Sequence, residues 1–226
     1  MTATPRDWQL LSDDLLVRSY SIGGGNTANM VAFRLPDRGL AVISPSARVR
    51  DETLAVLGEH GTVRALVAPN AFHNLGLPVW AERFPEAGVY AGESALVRLR
   101  KRLPRLSIEP ASALELGSGT DLVELPRMRN GETMLRTVVG GKVAWYGGDV
   151  FLNVGALPGM MGLFMRAMGM GPGFVVNPVS RRVMMLDRAA VKAWAAEALG
   201  DVGMVIPGHG DVLVADGLGE RMLGML

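Results

Sequence analysis

Short apolar runs closed by glycine, proline or a polar turn alternate along this chain with stretches of helical period. Leu15 to Ile22 predicts a first strand, ended by a flexible turn at Gly23-Gly24-Gly25. Thr27 to Arg34 and Leu40 to Ser44 predict a hairpin, with Pro36-Asp37-Arg38-Gly39 supplying the turn. From Asp51 to His60 the spacing predicts an amphipathic helix, with Leu54 and Leu57 on one face and Gly61 ending it. Val63 to Ala68 reads as a strand, Leu75 to Phe84 as a short helix with Pro78 in its first turn, and Val89 to Ala91 as a brief strand. Ser94 to Leu103 reads as a helix whose basic run, Arg98, Arg100, Lys101 and Arg102, is most simply a solvated face, with phosphate binding the lesser alternative. Leu122 to Leu125, Met134 to Val139 and Lys142 to Tyr146 read as strands, the last two joined by a two-residue turn at Gly140-Gly141. The helix Ala189 to Leu199 has Asp187 as N-cap and Gly200 just past its end, and it leads into a strand at Gly203 to Ile206. This alternation predicts one layered α/β domain over residues 1–226.

The chemistry lies where the apolar runs stop. Val205-Ile206 is followed by Pro207-Gly208-His209-Gly210-Asp211, which sets one of only three histidines between two glycines. Glycine on both sides allows a sharp turn and a close approach to whatever the imidazole faces. That pattern fits a ligand at the carboxyl end of a strand, where open α/β sheets place their sites. It equally fits a plain turn into Val212-Leu213-Val214. Recurrence favours the site. Val67-Ala68 runs into Pro69-Asn70-Ala71-Phe72-His73, and Trp145-Tyr146 into Gly147-Gly148-Asp149. If these strands share a sheet, His73, Asp149 and His209 converge at one edge, and two imidazoles with one carboxylate suit zinc, iron or manganese. The third histidine, His60, ends a predicted helix, where an imidazolium complements the dipole, so a structural role is expected.

Composition narrows the partners. Hydrophobic residues make up 49% of the 226 and charged ones 20%, ample for a core. A net charge of +1 gives no electrostatic reason to expect nucleic acid or an anionic membrane surface as the main partner. Without cysteine, any metal must rest on histidine and carboxylates. The first residues lack the apolar core of a signal peptide, and no run reaches the roughly 20 apolar residues of a membrane span, so a cytoplasmic protein with a small-molecule substrate is expected. One segment breaks the rhythm. Residues 157–173 are rich in methionine, glycine and proline, which suits a lid beside the site, a buried helix or a homodimer contact.

The order of these motifs resembles the metallo-β-lactamase superfamily, over nearly the whole chain. Gly148-Asp149 is similar to the family's bridging aspartate and Pro207-Gly208-His209-Gly210 to its last histidine motif. Ile43-Ser44-Pro45 and Pro69-Asn70-Ala71-Phe72-His73 are similar to a divergent branch, the DUF4336-like proteins. The resemblance implies a four-layer αβ/βα sandwich with a metal site along one edge of its sheets. It also exposes departures. Aligning the family's His-x-His-x-Asp-His on His73 puts Ala68, Asn70 and Phe72 at the other ligand positions. Ser44 replaces an aspartate, and no histidine lies near Leu125-Pro126-Arg127-Met128. A single ion on His73, Asp149 and His209 is what remains, zinc first, iron or manganese otherwise. The implied activity is metal-dependent hydrolysis of a small ester, lactone, thioester or phosphoester. Asn70 is expected to orient a water or add an oxygen ligand. Glu132 is a candidate fourth ligand or base, a solvated turn carboxylate being the simpler account, and Asp211 a candidate hydrogen-bond acceptor behind a histidine, an ordinary Gly-Asp turn being the simpler account. The alternative is a non-catalytic scaffold in which the three residues form a polar cluster.

Overall fold

The first strand and the hairpin read between residues 27 and 44 belong to a mixed seven-stranded sheet in the computed structural model, which describes residues 8–23, 26–156 and 158–226. Part of the expected glycine turn, Gly24 and Gly25, and the start of the methionine-rich segment, Leu157, lie outside the described residues. The sheet runs in chain order: β1 (Gln9–Ser12), β2 (Leu15–Gly23), β3 (Asn26–Arg34), β4 (Leu40–Ile43), β5 (Val63–Ala68), β6 (Gly88–Ala91) and β7 (Ile108–Pro110). β1 to β4 pair antiparallel, and β4 to β7 pair parallel. The parallel crossovers carry α1 (Asp51–His60), α2 (Leu77–Arg83) and α3 (Glu93–Arg102). β4 is wholly buried, as a strand covered on both faces must be. β7, which the hydrophobic pattern did not reveal, ends in Pro110 at the sheet's free edge, where a missing N–H removes no ladder bond.

The second half adds β8 (Asp121–Glu124), β9 (Thr133–Val139), β10 (Lys142–Tyr146), β11 (Phe151–Val154), α4 (Gly159–Ala167), β12 (Gly173–Val176), α5 (Arg188–Ala198), β13 (Val202–Ile206), β14 (His209–Gly210), β15 (Leu213–Val214) and α6 (Leu218–Met225). Its five-stranded sheet has the order β15-β13-β10-β9-β8, and a small sheet has the order β12-β11-β14. Gly140 and Gly141 take φ of 55° and 77°, the left-handed pair that a tight β9–β10 turn requires. Asp187 caps α5 by accepting from the Ala190 N–H. β10 and β13 are parallel, so their carboxyl ends share one rim.

Strand alternation divides the core into three apolar layers. Met30, Ala32, Leu66 and Ala68 face outward against Leu57 of α1, Trp80 of α2 and Leu99 of α3. The intervening Val31, Phe33, Ala65 and Val67 face inward against Leu135, Ala144, Tyr146 and Ile206 of the second sheet. Beyond it, Val143, Trp145 and Val205 pack on Val191 of α5 and Met222 of α6. Helix, sheet, sheet, helix is the four-layer αβ/βα sandwich. No helix among the described residues is long and apolar enough to cross a membrane. The basic run of α3 is more engaged than a solvated face: the Arg100 guanidinium donates to the Ile108 carbonyl and ties the helix to β7. α4 is no core helix, because Met160, Leu163 and Phe164 face solvent.

Candidate metal centre

Four loops leave the carboxyl ends of β4, β5, β10 and β13 and meet. Asp149, just past β10, stands between the two imidazoles: its Oδ1 is 2.9 Å from His73 Nε2 and 3.3 Å from His209 Nε2. One ligand atom from each of the three lies within 4.8 Å of the others, and the rings meet edge-on with centroids 5.7 Å apart. Both outer nitrogens are tethered. His73 Nδ1 shares a 2.8 Å hydrogen bond with Ser44 Oγ, and His209 Nδ1 sits 2.9 Å from the Thr27 carbonyl oxygen. A carbonyl only accepts, so His209 Nδ1 holds a hydrogen, and its Nε2 offers either a lone pair or a second proton.

The electrostatics match that choice. Burial alone disfavours a charged His209 ring, yet the Asp149 carboxylate outweighs it and raises the ring's pKa. Burial would likewise raise Asp149, but the two imidazoles hold it well below the usual carboxylate range. A cluster that keeps a carboxylate ionised against two shareable nitrogens suits a divalent cation, with Nδ1 tethers of the kind that orient metal-bound histidines.

Local sequence explains how each group is held. Asn70 Oδ1 accepts from the Phe72 and His73 N–H groups at 2.8 and 3.1 Å, folding the loop back on itself. Its Nδ2 donates to Asp149 Oδ2 at 3.1 Å and to both oxygens of Glu132. The expected oxygen ligand is therefore corrected: that oxygen is engaged by the loop, and the amide N–H₂ faces the carboxylates. On the other side, the Gly208 N–H donates to the Gly148 carbonyl at 2.8 Å. A Cβ on Gly208 would come within 2.3 Å of that oxygen, and one on Gly210 within 1.9 Å of the Asn153 carbonyl. Only glycine fits that approach.

Glu132 overturns the expectation of a solvated turn. It is wholly buried and accepts from Asn70 Nδ2, from Asn130 Nδ2 at 2.7 Å and from the Asp149 N–H at 3.0 Å. Burial and the nearby Asp149 charge push its pKa up to about 8, against the pull of those donors. It supports Asp149 from behind and is not one of the three grouped ligand residues. Gly148 permits this contact, since a Cβ there would lie 2.0 Å from Glu132 Oε1. Asp211 joins Asn153 through its main chain.

Two contributors escaped the sequence reading. Asn29, wholly buried in β3, donates through Nδ2 to the Pro207 and Gly210 carbonyls at 2.8 Å each and accepts from Ser19 Oγ. Its only signal is an asparagine in the middle of a strand, a type depleted there. Tyr146, in an apolar run, brings a buried phenol up to Ser44, and burial pushes its pKa up against the pull of that hydroxyl.

Over the histidines opens a cleft of about 310 Å³ lined by Tyr20, Ile22, Ser44, Phe72, His73 and His209, among others. Phe72 stands at its rim, 43% exposed, with the Arg98 guanidinium 5.3 Å from its ring centroid, and does not plug it. No described residue between 158 and 173 lines this cleft, so of the three roles open to that segment the lid has no support from the cleft's lining.

No family model matches the chain, and no curated protein does. Solved structures do. A metallo-β-lactamase from Hirschia baltica superimposes with a TM-score of 0.62 at 12% identity, covering 98% of both chains. The mono-zinc form of the metallo-β-lactamase FIM-1 from Pseudomonas aeruginosa gives 0.60 at 11% identity, covering 100% of this chain and 96% of its own. A metal-soaked flavodiiron core of Flv1 from Synechocystis gives 0.59 at 17% identity, over 96% of this chain and 61% of the other. What these likenesses share is the layered sandwich, and this chain has the metallo-β-lactamase fold.

Proposed function

We propose that this chain is a single-domain, mononuclear metal-dependent hydrolase of a small ester, lactone, thioester or phosphoester, its ion held by His73, Asp149 and His209. The observation that carries the reading is the paired tether: each imidazole is fixed through Nδ1 and turns Nε2 on one carboxylate oxygen. A bound divalent ion supplies Lewis acidity and draws the pKa of a coordinated water toward neutrality. The protein's own part is orientation. Ser44 and Thr27 fix the ring faces, Asn70 fixes the angle of Asp149 through Oδ2, and Phe72 and Ile22 give the cleft apolar walls that shield a reacting carbonyl or phosphoryl group from bulk water. Zinc is the first assignment, supported by the likeness to a mono-zinc enzyme; iron has the support of the flavodiiron likeness.

A scaffold reading has one specific observation behind it: Asp149 Oδ1 lies within hydrogen-bond reach of both imidazoles, so the three residues can pair directly with one another. Metal content separates the two. Protein purified without added metal is expected to carry about one equivalent of zinc or iron by elemental analysis. His209→Ala is expected to lose it together with turnover of a chromogenic ester panel. Metal-free protein that takes up no added zinc, with His209→Ala no different from the parent, would establish the scaffold.

A further inference from the structure

Away from the cleft lies a second concavity of about 410 Å³ where the end of α4 meets the segment leading into α5. Four arginines line it, Arg166, Arg181, Arg182 and Arg188, and no acidic side chain among the described residues does. Arg188 donates to the Leu226 oxygen; no ion pair joins the other three to a described carboxylate. The same hollow is lined by Ala167 and Met168, so it is continuous with α4. On α4, Met160, Leu163 and Phe164 are 80%, 62% and 58% exposed. Their spacing of three and four, extended to Met168, makes one apolar stripe along the helix. A stripe of large apolar side chains beside unpaired guanidinium groups is the composition of a helix that lies in a lipid interface.

We propose that α4 and the arginine hollow dock this protein on an anionic phospholipid surface. The apolar stripe enters the headgroup region while Arg166, Arg181 and Arg182 face lipid phosphates. Charge complementarity selects this occupant. A second copy docked by two-fold symmetry would set this arginine-lined patch against the same patch, with no acidic side chain among the described lining residues to offset the charge. At nine residues α4 is too short to span a bilayer but long enough to lie along one. The docking is independent of the metal centre, since no residue is shared.

Flotation of the full chain with vesicles tests it. Binding is expected to vesicles of two parts phosphatidylcholine to one part phosphatidylglycerol, not to phosphatidylcholine alone, and to weaken with added salt. Each arginine near such a surface is worth about a fivefold change in affinity, so Arg181→Ala with Arg182→Ala is expected to weaken binding roughly thirtyfold. Leu163→Ser with Phe164→Ser is expected to lower it as well while leaving the thermal midpoint unchanged, both side chains being exposed. Equal binding to neutral and anionic vesicles, or none to either, overturns the proposal. So does a dimer in sedimentation velocity that dissolves on the Leu163/Phe164 substitution. Full displacement from vesicles by inorganic phosphate, with the helix substitutions inert, overturns it in favour of a soluble anion.

Discussion

The loops that carry His73 and His209 reach the same carboxylate oxygen by opposite means. Side chains build the first: Asn70 folds it, Ser44 tethers its ring, and Asn70 again grips Asp149 and Glu132. Main chain builds the second: Gly208 lies on Gly148, Gly210 on Asn153, and Thr27 offers a carbonyl to the ring. The side chains that do reach this second loop, Asn29 and Asn153, grip its carbonyls rather than the histidine. Substitution should therefore affect the two loops differently. A side-chain-built loop loses its aim first, whereas a backbone-built loop loses its stability.

The largest effect is expected at Asn29→Ala, which strips one buried and one partly buried carbonyl of their donor at a cost of about 3 kcal/mol. Chemical denaturation should show that loss, with metal affinity falling alongside because the His209 loop is released. A variant as stable as the parent would break the comparison on its backbone side. Next comes Asn70→Ala. Chelator competition is expected to show metal affinity about 10- to 100-fold weaker, the usual range for a group behind the ligands, with a smaller fall in stability. If stability drops as far as in Asn29→Ala, the distinction between the loops is wrong. Ser44→Ala should do least. It removes one tether of His73, worth about 1 kcal/mol, and is expected to weaken metal about fivefold with the denaturation midpoint nearly unmoved.

Much of this was written in the chain. The helix at residues 51–60 and the strands at 63–68 and 142–146 were legible because period, glycine punctuation and length all agree. His73, Asp149 and His209 were legible as strand-end residues, and the fold brings all three together. Glu132 was not. Asn130-Gly131-Glu132-Thr133 has the composition of a surface turn, and its burial depends on Asn70 and on main-chain bonds from Thr133 to Pro69 and from Ala71 to Asn130. No local pattern encodes partners that far apart. Asn29 was hidden likewise, a polar residue whose acceptors lie near the far end of the chain. The small sheet of β11, β12 and β14 escaped because its strands are too short to carry a period.

Because β4 and β10 deliver their chemistry at their carboxyl ends, the turns that feed them, Pro36–Gly39 and Gly140-Gly141, sit on the opposite side of the sandwich. That side is an attachment platform. A fluorophore or affinity handle spliced between Gly140 and Gly141 extends a loop already built for sharp reversal, and the reporter is carried a full strand's length from the cleft it is meant to watch.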